Sequence, residues 1–151
     1  MSLRITGILV LLMSLLSLEA ASARIIKVLP HYLDLKGRHT LSPSLYERDA
    51  YQLELRSNME RVSTVRFDIN WSSKGISKEN LKIRIQVRGS ETKIGQEVVI
   101  DEKDLKTKLF GSWAKIKVDE ETFKKVGKLV AWRVSIWDGD TEVTSQQSFL
   151  W

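Results

Sequence analysis

Cysteine is absent from this chain, and proline and histidine occur only twice each. Without thiols there is no disulfide scaffold, no thiolate metal ligand, no cysteine nucleophile and no lipidated cysteine of the lipoprotein type. Two prolines are too few for a Pro-rich spacer, and a hydrophobic share of 42% opposes disorder. Two histidines leave little for a histidine metal site or a His-based triad. Acidic residues are also in deficit, 19 against 24 basic ones, giving a net charge of +5 over 151 residues. That length suits one domain with a targeting segment.

What is present begins with an export leader. Arg4 supplies a positive start, Ile5 to Leu18 run apolar, and Ala20-Ala21-Ser22-Ala23 places Ala21 and Ala23 in the A-x-A arrangement of a cleavage site. The apolar run falls short of the roughly 20 residues that span a bilayer as a helix. An uncleaved anchor is the alternative; the length and the A-x-A site favour a signal peptide over Met1–Ala23, with cleavage before Arg24. Residues 24–151 then form a single exported domain, periplasmic or extracellular, with no transmembrane segment. The leader removes one Arg and one Glu, so the charge balance is unchanged.

Alternation dominates that domain. Val65, Phe67, Ile69 and Trp71 share one parity with polar residues between them, and Leu81, Ile83, Ile85 and Val87 repeat the pattern. Strict period two marks half-buried antiparallel strands. Ile94, Val98 and Ile100 form a weaker third case, followed by Ala114, Ile116 and Val118, then by Val130, Trp132, Val134 and Ile136. Asp138-Gly139-Asp140 predicts a hairpin turn into a last strand with Val143, Phe149 and Trp151 on one side. Ile25–Leu35 reads as an edge strand that kinks or switches sheets at Pro30.

Two segments read as helical. Ser42 before Pro43, or Ser44 with Glu47, offers an N-cap for a helix running to about Arg56, with Tyr46, Ala50 and Leu53 on one face. Asp119 caps a short second helix in which acids lead, lysines trail and Gly127 ends it. The expected fold is mainly β: an antiparallel immunoglobulin-like or fibronectin type III-like sandwich of about seven strands, with a helix inserted after the first.

Short words add a resemblance. Leu41-Ser42-Pro43-Ser44-Leu45-Tyr46-Glu47-Arg48-Asp49-Ala50-Tyr51-Gln52 resembles a segment of a family of small exported bacterial proteins. Ala131-Trp132-Arg133-Val134, Trp137-Asp138-Gly139-Asp140 and Ser148-Phe149-Leu150-Trp151 resemble later parts of the same family. No activity is assigned to it, so the resemblance implies an exported domain and no catalytic residues.

Candidate chemistry is sparse. His31 and His39 would need a third ligand such as Asp34 to hold a metal, and nothing in their spacing requires it. Ser42 and Ser44 lie near His39, but there is no G-x-S-x-G elbow and helix capping explains both. Asp68, Asp101, Asp104 and Asp138 fall on outward faces or in turns, away from a paired-carboxylate cleft. Asp138-Gly139-Asp140 lacks the further ligands that Ca²⁺ wants, and the turn explains it. No cofactor is expected, and the balance leans against an enzyme; a small hydrolase with a fold-assembled site is the alternative. A small outer-membrane barrel also alternates and ends in an aromatic, but needs strands of about nine to eleven residues in even number.

An interaction surface is the better candidate. Lys82, Arg84 and Arg88 line the outward face of one strand and Arg133 that of another; as sheet neighbours they would make a basic face with few acids between. Trp71 and Trp132 fall on core parity, whereas Trp113 and Trp137 fall on the opposite one, as exposed groups or edge covers. Tyr46 and Arg48 sit in the densest mix of aromatic and charged residues, as end-caps of the core or as a recognition element. The partner expected is a protein or an acidic polysaccharide of the envelope. Export and the lack of RNA-binding aromatic words exclude nucleic acid.

Overall fold

The alternation of Leu81–Gly89 is the most regular in the chain, and its burial alternates without fault along the whole strand. In the computed structural model, which describes residues 21–94, 96–106 and 111–151, it is the centre of a sandwich. The expected leader lies, up to residue 20, outside the described residues. The element order is β1 (Ser22–Asp34), α1 (Leu45–Ser57), a single 3-10 turn (Met59–Arg61), β2 (Val62–Lys74), β3 (Leu81–Gly89), β4 (Val98–Glu102), β5 (Ser112–Lys117), α2 (Glu120–Val126), β6 (Leu129–Asp138) and β7 (Thr141–Gln147). Strand order is β1-β2-β5 in one sheet and β4-β3-β6-β7 in the other, with every pairing antiparallel. This is the mainly β, seven-strand sandwich with a helix after its first strand that the alternation predicts.

The core lies between the inward faces. Val65, Phe67, Ile69 and Trp71 of β2 join Leu81, Ile83, Ile85 and Val87 of β3 and Val134 and Ile136 of β6 in one buried cluster. Each such side chain contributes roughly 1.5–3 kcal/mol of transfer free energy.

Three expectations need correction. Pro30 neither breaks β1 nor moves it to the other sheet: it stays paired with Phe67. Its missing N–H costs no ladder bond, because β1 is an edge of its sheet. The irregularities fall instead at Ile26 and near Asp34. Ile94 is fully exposed and precedes β4, and Phe149, equally exposed, lies beyond the end of β7.

The third concerns β6. Arg88 pairs with Ala131 and Gly89 with Leu129, so Val130 is an extra residue in the ladder. The bulge shifts parity only for the residues before it: Val130, expected inward, is half exposed, while Trp132, opposite Val87, keeps the inward face it shares with Val134 and Ile136. Trp132, expected in the core, is partly buried at its margin, edge-on to Phe67 with centroids 6.4 Å apart. Trp132→Ala should therefore cost about 2 kcal/mol in urea unfolding, below the 3–5 kcal/mol of a fully buried aromatic. A cost within that higher range would show that Trp132 is packed as a fully buried aromatic.

Both helices begin where their caps predict. The Ser44 hydroxyl accepts from the Glu47 N–H at 3.5 Å, and Ser42 Oγ accepts from the Ser44 N–H at 3.0 Å. Asp119 accepts from the Thr122 N–H at 2.8 Å, and Gly127, at φ 72°, closes α2. A side chain at Gly127 would also run into Ser90 and Glu91, with contacts at 2.6 Å.

The face α1 buries is not the one expected. Tyr51, Gln52 and Leu55 pack inward, while Tyr46, Ala50 and Leu53 point to solvent. Gln52 explains the inversion. Its Oε1 accepts from the Tyr32 N–H at 2.8 Å, and its Nε2 donates to the Tyr32 and His39 carbonyls at 2.9 and 2.8 Å. The amide thus takes the place of a neighbouring strand along the free edge of β1, and the helix covers an edge that would otherwise be open to pairing.

Candidate functional site

β3 and β6 are neighbours, in a register that sets Lys82 opposite Trp137 and Gln86 opposite Arg133. The four cations expected to share a face do so, on the outer side of the four-stranded sheet. Trp137 lies among them: Lys82 Nζ is 5.1 Å and the Arg84 guanidinium carbon 4.8 Å from its ring centre. Its Nε1–H donates to Ser135 Oγ at 2.8 Å, which fixes the plane of the ring. Arg88 stacks 4.0 Å over Trp151, which the chain end carries back onto the sheet. Each contact is worth about 0.5–1 kcal/mol where solvent reaches it.

The face also carries acids that strand parity alone did not reveal. Asp101, opposite Arg84 on β4, accepts two parallel bonds from Arg84 at 2.7 and 2.8 Å, with Lys82 at 3.9 Å. Glu97 lies 3.4 Å from Arg88 and accepts from Gln86 at 2.7 Å. Glu142, at the start of β7, accepts from Arg133 at 2.7 Å. The expectation of few acids between the cations therefore does not hold. The Arg84 bonds and charge hold the Asp101 carboxyl below its usual range, against its partial burial. Arg84 is raised in turn by its bonds to Asp101, against its own burial. Bidentate guanidinium–carboxylate pairs of this kind are the better-defined surface ion pairs.

The remaining candidates lie elsewhere. Trp113 is half exposed and, opposite Asn70, points outward from the three-stranded sheet, across the sandwich from Trp137. Tyr46 is 84% exposed on α1, where Arg48 pairs with Asp49 at 2.8 Å. These two, Trp113 and the sheet-face cluster thus occupy three separate regions.

A second polar cluster forms on the outer face of the three-stranded sheet. His31 and Asp68 are both buried, with His31 Nδ1 3.3 Å from Asp68 Oδ2. Arg66 donates to both Asp68 oxygens at 2.7 and 2.8 Å. The His39 ring lies 5.1 Å from that of His31. The fold does bring the two histidines together, but their acid is Asp68 and not Asp34. Asp68 does face outward as expected, yet the chain after β1 covers it. Among the described residues no group of three or more His, Cys, Asp or Glu is placed to hold a metal ion. Arg66 occupies the carboxylate that such a site would need.

Asp34 works as a structural hub. It accepts from the Lys36 and Arg38 backbone N–H groups, from Arg38 Nε and from the Tyr51 hydroxyl, all within 2.7–2.8 Å. Burial pushes its carboxyl upward, but these donors outweigh it and hold the group far below the usual carboxylate range.

No family model matches the chain, and neither a curated protein nor a solved structure resembles it at a significant level. Among the described residues no helix is long and apolar enough to cross a membrane.

Proposed function

We propose that this chain is an exported, non-catalytic interaction domain that docks through the outer face of its four-stranded sheet onto an acidic component of the cell envelope. The observation that carries the reading is the array of Lys82, Arg84, Arg88 and Arg133 stacked on or set between Trp137 and Trp151. Indole plates and acid partners preset the guanidinium planes, which reduces the ordering cost of binding a polymer carboxylate. Four cations face three carboxylates, so the surplus is small and the binding weak. The leader and the resemblance to exported bacterial proteins support the location.

The test is retention on a polyuronate matrix. Lys82→Gln/Arg133→Gln and Lys82→Glu/Arg84→Glu/Arg133→Glu are compared with the unaltered chain after circular dichroism confirms that each is folded. Retention should be measurable at low salt and lost near about 0.15 M, where screening acts over about 8 Å. The neutral variant should elute earlier and the acidic one in the void. Equal retention of all three would return these residues to a solvated, edge-protecting role.

A further inference from the structure

α2 and the β3–β4 turn close one end of the sandwich, and beside them lies a groove of about 630 Å³. Small-molecule sites run roughly 300–1,000 Å³ and are concave, apolar-lined and preformed. The apolar lining here is Leu35, Met59, Val62 and Phe123. Val62 and Phe123 are themselves buried in the core, and Leu35 stands 72% exposed over the opening.

The walls are tied in place. The Ser90 N–H donates to the Lys128 carbonyl at 2.8 Å, the Glu91 N–H to the Val126 carbonyl at 3.0 Å, and the Lys128 N–H to Ser90 Oγ at 3.0 Å. Across the groove, Ser63 Oγ donates to the Asp34 carbonyl at 2.8 Å. The close approach at Gly127 allows no side chain between α2 and the turn.

Charge at the rim is unequal. Glu120 is engaged by Lys117 at 3.8 Å, and Lys125, on the same helix, by Glu121 at 2.8 Å. Lys124 and Lys128, both lining the groove, have no carboxylate partner among the described residues. Among the described residues Glu91 is the one rim acid without a cation, its carboxylate accepting from Ser90 at 3.3 Å. The rim therefore presents two uncommitted ammonium groups against one carboxylate, above an apolar floor.

We infer that this groove binds a fatty-acid-type amphiphile: an unbranched alkyl chain along Leu35, Met59, Val62 and Phe123, with its single carboxylate between Lys124 and Lys128. The site lies at the end of the sandwich, apart from the sheet face proposed above, and either reading stands without the other.

The test titrates sodium dodecanoate, below its micelle concentration, into the isotope-labelled chain and follows methyl and amide shifts. Dodecyltrimethylammonium serves as the matched probe of opposite charge. Shifts should centre on Leu35, Met59 and Val62, with dodecanoate bound about tenfold more tightly than the cation, since complementary charge discriminates between partners. Lys124→Glu/Lys128→Glu, on exposed positions, should abolish or invert that preference. Leu35→Asn should weaken both probes by about fivefold through lost apolar contact. Equal affinity for the two probes would overturn the inference. So would shifts centred on the exposed Tyr46 and Leu53 of α1, or an absence of shifts.

Discussion

Asp34→Ala is expected to lower the unfolding free energy by about 3–4 kcal/mol, since hydrogen bonds to charged groups are worth about 1.5–3 kcal/mol each and do not add in full. Asp34 is only 5% exposed. Truncation would strand the buried Tyr51 hydroxyl and the backbone donors of the turn, while Arg38, whose side chain is 48% exposed, would turn to water. Asp34→Asn keeps an oxygen for the Lys36 and Arg38 N–H groups and loses the charge, so it should cost about 1–2 kcal/mol. Urea unfolding checks both values, and a cost below about 1 kcal/mol for the alanine variant would show that water replaces the carboxylate.

The same substitution should loosen α1 selectively. Asp34 and Gln52 are the polar ties between that helix and β1. Amide exchange across residues 35–57 should rise in Asp34→Ala well before exchange in β2 or β3 changes. Local opening of that kind separates a strap from the core it covers.

How much of this was legible beforehand depends on whether the information was local. β3 was readable because an in-register strand between two others keeps one parity throughout, and α2 because both caps and both charge clusters lie within nine residues of sequence. Val130 departs from the expected face because it is the bulged residue, whereas Trp132 keeps its inward parity and is only shallower than the alternation implies. α1 was misread for a different reason: Gln52 is buried as the partner of an edge strand, and no apolar periodicity records that. The sheet-face cations were identified by alternation along β3 and β6. Their acids sit on β4, β7 and the approach to β4, so finding them required the strand order. The cluster of His31, Asp68, Arg66 and His39 assembles from two strands and a loop, and no local pattern announces it.

That cluster and Asp34 contribute to the response to acid. Burial raises the Asp68 carboxyl, but the His31 contact and the Arg66 bonds and charge outweigh it, taking the group from its ordinary 3.8 to about 2. Asp34 is displaced in the same direction. A carboxyl with a depressed folded-state pKa contributes stability that is present above its unfolded value and lost as pH falls through the folded one. The loss from these two residues should therefore begin near pH 4 and continue toward pH 2, with a slope of up to about 2–3 kcal/mol per pH unit if both take up a proton. His39 adds an earlier step. It is held below its ordinary 6.5 mainly by burial, then by the charges of Arg66 and His31, with Lys115 of β5 adding and Asp68 alone opposing. Its sign is the same: the unfolded chain binds the proton first, so stability declines as pH falls below about 6.5. Chemical denaturation from pH 7 to pH 2 should show a shallow fall and then a steep one. His39→Gln should flatten the first, and Asp68→Asn should reduce the second while lowering stability at neutral pH, where it leaves Arg66 without its carboxylate. A curve that is level down to pH 5 in the unaltered chain would remove His39 from this account, and an unchanged lower limb in Asp68→Asn would remove Asp68.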